Sequence, residues 1–599
     1  MNKFYTKSLL ALVTAIFFMP TLINFNANTL AAGYNYISQA IPFLLVFFML
    51  LIWVFGARNI RHLRISRVAT FLFVAAVLLA LQYAWMKPSY SAAFLITFCL
   101  FITSCCLIIL INNSDISSES LLNAAAIGIL INGYYQVFYS SLLLANLDFS
   151  TTFIIYGSSD PYYILVKWFK YPGQIVGSIG QVNVLADLLC WGIVANCWLG
   201  KSNSRFAKVF FYLTAIVFSI FIALSQSRTA YLYVLILASY LFYINKINKE
   251  SWLVRKLAFS LLIMAVCLSA FYINAHFFHV NTGSVVPRAA ENNHLSNFGR
   301  YIMWAKGLVI FLQHPLIGGG WDSYSHYYAI TTLPDFIKPV HSYLATPANA
   351  HNLIIHLLAT TGIVGTLLTI YIIGSIFLQL KKQPLSIQFL PAAILLVTLT
   401  HSMLEYPLFY SFVFIGLVLL IAITDTSKVK VTIPINLFKA ISLIIVIGGS
   451  WQVFTGVNNY LILAEYKKPA NYQVKNQLAN EFNRYFEVST NPLWDDYADI
   501  TLAYNLMFNS KNKDNTQYFE LYKNTLDKIN QQFPNPPYTL KLAIMEVIDD
   551  NPIKAKSLIK ELQYNYPGFN DTFESYVIQQ TPNNTSARNS VIKLITDKK

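Results

Sequence analysis

Stretches of about twenty apolar residues recur through the first three-quarters of the chain, and no other feature limits its fold as strongly. An α-helix of that length rises about 30 Å, the thickness of a bilayer's hydrocarbon core. SQAIPFLLVFFMLLIWVF, residues 38–55, is one such stretch. Spans are predicted near 8–30, 36–55, 68–86, 91–111, 119–145, 181–199, 207–225, 229–245, 254–275, 352–380, 386–403, 407–424 and 437–456, about thirteen in all. The first lacks a small-residue cleavage site before a soluble domain, so it reads as a retained span. Only 12% of the 599 residues are charged, too few to solvate a water-soluble chain of this length. The six cysteines (Cys99, Cys105, Cys106, Cys190, Cys197 and Cys267) all fall within predicted spans, where they read as small buried apolar residues.

The net charge of +15 is unevenly spread. From Ala464 onward there are 16 basic and 16 acidic residues, so the whole excess lies in the membrane region. Lys3 and Lys7 precede the first span. Arg58, Arg61, Arg64 and Arg67 follow the second. Lys201, Arg205 and Lys208 follow the sixth, Lys246, Lys249, Arg255 and Lys256 the eighth, Lys381 and Lys382 the tenth, and Lys428 and Lys430 the twelfth. With the N-terminus inside, all these groups share one side, which the positive-inside rule makes cytoplasmic. The loop at Asp115 and Glu119 is the one inner loop without the signal. Charges that cap short loops between spans are a poor match for nucleic acid.

The opposite side collects the long segments. The chain is therefore read as N-terminal spans over 1–275, a large outer loop over 276–351, C-terminal spans over 352–456, and a soluble outer unit over 464–599. In that last unit TLDKINQQF, TLKLAIMEVIDD and SLIKELQYNY have helical periodicity, and Pro534, Pro536, Pro537, Pro552 and Pro567 separate the segments. Short antiparallel helix pairs of tetratricopeptide style are expected, without a clean repeat period.

Polar groups at the ends of apolar spans need a reason, and four places supply candidates. In YPGQIVGSIGQVNVLADLL, residues 171–189, Gly173, Gly177 and Gly180 allow bending, while Gln181, Asn183 and Asp187 enter the sixth span. Asn183 and Asp187 are four apart and share a helix face, as polar glue between helices or as a site. In LSQSRTAYL, Arg228 stands where the seventh span turns into the eighth, to snorkel to headgroups or to clamp a phosphate. The outer loop carries GRYIMWAKGLVIFLQHPLIGGGW, an amphipathic helix with Arg300, Trp304 and Lys306, then a glycine turn and Trp321. It closes on NAHNLIIHLLATTGIVG, with His351 and Asn352 at the start of the tenth span and His356 further in. A helix N-terminus disfavours imidazolium, and a neutral His can act as a base. HSMLEYPLFY supplies Glu405 and Tyr406.

The chain has no GxxxxGK[ST] phosphate loop, no HExxH, no CxxC and no DxD-like pair on an outer loop. Outer acids before the tail are few: Asp148, Asp160, Glu291, Asp322, Asp335 and Glu405. A cationic, carboxylate-poor outer pocket suits a phosphorylated donor held by Arg and Lys, with no metal and no cofactor.

In their order, GQIVGSIGQVN, LSQSRTAYL, MWAKGLVIFLQHPLIGGGW, NAHNLIIHLLATTGIVG and HSMLEYPL resemble the bacterial O-oligosaccharyltransferases of the PglL type. These share a superfamily with the WaaL O-antigen ligases and Wzy polymerases. The resemblance covers roughly residues 170–425, with a helical tail of similar kind. It implies an all-α, GT-C-like polytopic protein of the bacterial inner membrane with a periplasmic helical domain. It implies transfer of a glycan en bloc from undecaprenyl pyrophosphate to a Ser or Thr of a periplasmic protein such as a type IV pilin. By motif, Gln181, His351 and Tyr406 match catalytic positions, with Glu405 expected to position His351 or an acceptor group. Arg228 and Arg300 match positions that hold pyrophosphate, and Asn183, Asn352 and Lys306 are further substrate-binding candidates. The family commonly reads GQPNH where this chain reads GQVNV, so no His stands there. The rival readings are a ligase or polymerase with a lipid or glycan acceptor, and a transporter of lipid-linked glycan, which should instead show inverted repeats and polar groups at mid-membrane.

Overall fold

The computed structural model describes residues 3–22, 36–56, 62–145, 150–156, 161–167, 175–202, 204–247, 252–274, 294–334, 346–425, 427–465, 485–505, 516–581 and 584–596. Gly173, Arg58, Arg61, Lys249, Asp148, Asp160, Glu291 and Asp335 lie outside them. The membrane region runs α1 (Lys3–Leu22), α2 (Tyr36–Gly56), α3 (Arg67–Met86), α4 (Ala92–Asn112), α5 (Ser118–Leu144), α6 (Val182–Leu199), α7 (Arg205–Leu224), α8 (Thr229–Ile247) and α9 (Trp252–Ile273). Then come α10 (His294–Gln313), α11 (Tyr324–Ile330), α12 (Leu353–Leu380), α13 (Leu385–Ser402), a 3-10 turn Pro407–Phe409, α14 (Ser411–Thr424) and α15 (Ile435–Glu465). Among the described residues twelve helices are long and apolar enough to cross a membrane, so the chain is an all-α multi-pass membrane protein. Each predicted span has a helix. The short one is α14, with 14 residues rising about 21 Å; it is buried along nearly its whole length among its neighbours.

Two features were not foreseen. Strands β1 (His62–Ser66) and β4 (Lys428–Pro434) pair antiparallel, and so do β2 (Ser150–Tyr156) and β3 (Pro161–Lys167). The first ladder joins two basic loops assigned to one side from charge alone, and it places both at one end of the bundle.

The second is a break in α12. Gly362 has φ +64° and ψ −163°, which interrupts the helix. A Cβ there would lie 2.4 Å from the Leu316 carbonyl oxygen and 2.6 Å from the Gly318 nitrogen, so only glycine fits. The polar groups freed by the break pair with the turn after α10. Gly319 donates to Ala359 O, Gly320 to Thr360 O, Ile363 to Pro315 O and Val364 to Leu316 O. Irregular backbone at membrane depth is tolerated when protein satisfies it in this way. From α3, Gln82 donates to Ile317 O and Thr360 O and accepts from Trp321 N. These bonds set the height of α10 against α12, and so of Arg300 against His351.

The tail forms α16 (Asp495–Asn505), α17 (Thr516–Gln532), α18 (Pro536–Ile548), α19 (Pro552–Asn565), α20 (Asn570–Gln580) and α21 (Thr585–Thr596). Pro at the first turns of α18 and α19 starts each helix where no backbone donor is lost. The tail has its own apolar core, and that core also takes in Tyr90, Tyr460 and Leu463 from the ends of membrane elements. Tyr90 donates to Asp499 at 2.7 Å, and Asn565 donates to Ala329 O at 2.7 Å.

Lys306, expected to bind substrate, is placed by the structure in this docking surface. It is fully buried, and its Nζ donates to Tyr328 O and Asn565 Oδ1, both at 2.6 Å. The helical period turns it toward the tail, and Asn565 on α19 absorbs its donors. Burial pulls the Lys306 ammonium down to about 7, against the charge of Glu561. Between about 7 and the ordinary lysine value the unfolded chain therefore binds one more proton than the folded one. Stability should rise with pH across that window, and this contribution should be missing below it. Thermal unfolding of the wild type and Lys306→Met from about pH 6 to about pH 10 checks this; the variant should lose the slope.

Candidate functional site

The site is assembled from four separated stretches, with Glu405 at its centre. Its Oε1 accepts from Arg300 Nη2 at 2.7 Å, and its Oε2 lies 2.8 Å from His351 Nδ1. Asn183 Nδ2 also approaches Oε1, at 3.4 Å. The carboxylate is 8% exposed. Burial pushes its proton affinity up, but the hydrogen bond and charge of His351, then the charge of Arg300, outweigh burial and hold it below the usual carboxylate range.

Each member is held from outside. Arg300 and Trp304 are one turn apart on α10. Trp304 Nε1 donates to Ala350 O at 3.0 Å, which ties the His351 loop to the helix that carries Arg300. His351 has φ +48°, the left-handed region, and its N–H donates to Asn349 Oδ1. Tyr406 packs its ring across His351, with centroids 5.2 Å apart and planes at 77°. Asn352 has a different task from the substrate contact expected of it. Its Oδ1 caps α12 by accepting from Ile355 N, and its Nδ2 donates to Met403 O, so both ends of the amide are engaged by protein.

Two parallel rungs join α6 to the end of α13. One is Asn183–Glu405. The other, a turn deeper, is Asp187 Oδ2 to His401 Nδ1 at 3.3 Å, with both side chains fully enclosed. The shared face of Asn183 and Asp187 thus meets residues that are themselves four apart. Asn183 Oδ1 further accepts from Ser227 Oγ at 2.7 Å, and Ser227 pairs with Thr229 at 2.6 Å. The α7–α8 turn is thereby docked beside the site, with Arg228 exposed next to Ser227. Gln181 precedes α6 as its N-cap without using its side chain as a cap, and its Oε1 is buried with no hydrogen-bond partner among the described residues. Asp187→Ala should strand His401 and cost on the order of 3–5 kcal/mol, while Asp187→Leu with His401→Leu should recover most of it. Unfolding of the wild type and these two variants in one detergent reads this directly.

Of the sequence candidates, His351, Glu405, Tyr406, Arg300 and Asn183 converge. Gln181 and Arg228 stand beside them, Asn352 braces them, and Lys306 is elsewhere. Sequence reasoning missed Ser227 and gave His401 and Phe409 no role. The polar run SQSRT at a span end was the available signal for Ser227. His351, His356, Glu405, Tyr406 and Phe409 line a common cleft.

This arrangement can do two things. Glu405 fixes the orientation of the His351 ring and engages Nδ1, which leaves Nε2 to accept a proton. Arg300 uses one guanidinium nitrogen on Glu405, and its fork carries further donors. His351 and Glu405 line a cleft beside the ends of apolar helices, and Arg300 joins it through Glu405.

A family model described as O-antigen ligase matches residues 213–370, and one described as the C-terminal part of a virulence factor membrane-bound polymerase matches residues 390–581. A ComP-specific O-oligosaccharyltransferase from Acinetobacter baylyi (strain ATCC 33305 / BD413 / ADP1) is 25% identical over 295 residues, which is 47% of this chain and 50% of that protein. The chain spans about half the length of this curated relative. The first match holds Arg228, Arg300 and His351, and the second holds Glu405 and Tyr406. Two adjacent family matches thus carry the ion-paired site between them, and with the similarity to an O-oligosaccharyltransferase they make the chain similar to the PglL-type enzymes of the O-antigen ligase superfamily.

Proposed function

We propose that the protein is a membrane glycosyltransferase that moves an oligosaccharide en bloc from undecaprenyl pyrophosphate to a Ser or Thr hydroxyl of a periplasmic protein, a pilin-like protein among them. The observation that carries this reading is the Arg300–Glu405–His351 constellation at the outer ends of the spans. The donor arrives with its leaving group already activated, so the protein needs charge stabilisation and a base, and no metal. The acceptor hydroxyl oxygen attacks the anomeric carbon, and its proton passes to His351 Nε2. The bond from that carbon to the pyrophosphate oxygen breaks, and the lipid pyrophosphate leaves with the electron pair. Arg300 and Arg228 meet the charge that develops on it. Direct displacement inverts the anomeric centre. Gln181 and Tyr406 orient donor and acceptor.

The basic loops support a cytoplasmic N-terminus and a periplasmic site and tail, in the inner membrane. The contacts of tail helix α19 with α10 and α11 support a protein acceptor, because they brace the helix that carries Arg300 and put the tail beside the site. A lipid or glycan acceptor is the second reading, favoured by the ligase and polymerase descriptions of the matching families. Co-expression with a lipid-linked glycan pathway and candidate pilins separates the two. Intact mass of the pilin should rise by one whole glycan. A change confined to lipopolysaccharide banding would reverse the acceptor assignment.

A further inference from the structure

Four rings from three elements gather next to His351. Trp321 and Phe409 lie parallel, with centroids 6.1 Å apart and planes within 5°. His356 stands edge-on to both, at 6.0 and 5.6 Å, and Tyr406 meets Phe409 at 6.1 Å and 87°. Trp321 is fixed from behind, its Nε1 donating to Thr97 Oγ1 at 3.0 Å. Two facts in this cluster are not explained by packing. Phe409 is 49% exposed at the edge of the cleft. His356 is only 5% exposed, yet its Nδ1 has no hydrogen-bond partner among the described residues.

We propose that Phe409 and His356 form a subsite for the sugar ring joined to the donor pyrophosphate, with Trp321 as its backing. A pyranose has one face of C–H bonds that packs on the negative face of an aromatic ring, and hydroxyls that pair with a ring nitrogen in either tautomer. An isoprenoid chain would cover Phe409 but leave the His356 nitrogen unpaired, which costs free energy. The cleft holds about 260 Å³ of atom-free space open to solvent. Because the cleft opens to solvent, a ring seated against Phe409 leaves the rest of a glycan outside. The inference rests on the donor being a glycosyl lipid pyrophosphate, as proposed above.

The test uses the full chain in nanodiscs and two probes, a short-chain polyprenyl pyrophosphate and the same lipid carrying one N-acetylated aminohexose. Wild type should bind the glycosylated probe about ten-fold more tightly than the bare one, and Phe409→Leu and His356→Leu should erase that difference with the bare probe unaffected. Phe409→Tyr should retain it. Equal binding of both probes by the wild type overturns the subsite, whatever the variants do. Parallel loss of both probes in the two variants also overturns it, in favour of a lipid-chain groove. A wild type that discriminates the probes but transfers no sugar to protein leaves the subsite standing and contradicts the proposed function instead.

Discussion

Glu405→Gln is expected to lower transfer by about 10²–10⁴-fold with the chain still folded. The substitution keeps the shape of the side chain and removes what the two neighbours require. The carboxylate accepts from Arg300 on one oxygen and faces His351 Nδ1 with the other. A glutamine amide offers one acceptor and one donor, so it satisfies Arg300 only by turning its NH₂ toward His351. That contact selects the tautomer with the proton on Nε2, which removes the base. Arg300 also loses its counter-charge. Because Arg300 is a third exposed, the stability cost should be roughly 2 kcal/mol, below the ~3–5 of a fully buried pair. The pH dependence has a definite sign. Glu405 binds its proton more weakly in the fold than when unfolded, so its stabilisation is present above the ordinary carboxylate range and is lost as pH falls through its lower folded value. Glu405→Gln should flatten that acid limb in thermal unfolding.

His351→Ala is expected to abolish the base without abolishing the donor site. Loss of a positioned base removes about 10²–10⁴-fold from kcat. KM for the donor should change little, because the guanidinium of Arg300 stays on α10 and Glu405 still anchors it. Arg300→Ala should divide the other way, with a weakened donor KM as its main effect. Steady-state kinetics with a fixed acceptor and varied donor distinguish these patterns. A rise in donor KM with kcat unchanged in His351→Ala would assign the imidazole to binding.

The bundle was legible because span length and loop charge are local properties. Every predicted span has its helix, and two of the basic loops meet in the β1–β4 ladder. The convergence of His351, Glu405 and Arg300 was suggested by motif order, and Glu405 was expected to position His351 or an acceptor group, but the Arg300–Glu405 pair was not foreseen. It depends on the Gly362 break and the Gln82 clamp, which join three distant segments by backbone bonds that leave no periodic trace. The protein partners of Lys306 and Asn352 were not legible for a related reason. A polar residue near a site looks the same in sequence whether it faces ligand or fills a joint, and here Asn565 and Met403 are the partners that decide. Asp187 was read correctly as one face with Asn183, but its partner His401 lies 214 residues away.

The most direct measurement is a reconstituted transfer with purified chain, a lipid-pyrophosphate-linked glycan and a hydroxyl-bearing pilin-like acceptor. It follows the intact mass of the acceptor together with release of lipid pyrophosphate. The account predicts one whole glycan on a Ser or Thr for each lipid pyrophosphate released, and transfer slowed about 10²–10⁴-fold with His351→Ala. Lipid pyrophosphate released with the glycan appearing on lipid or on another glycan, or full transfer by His351→Ala, would contradict it.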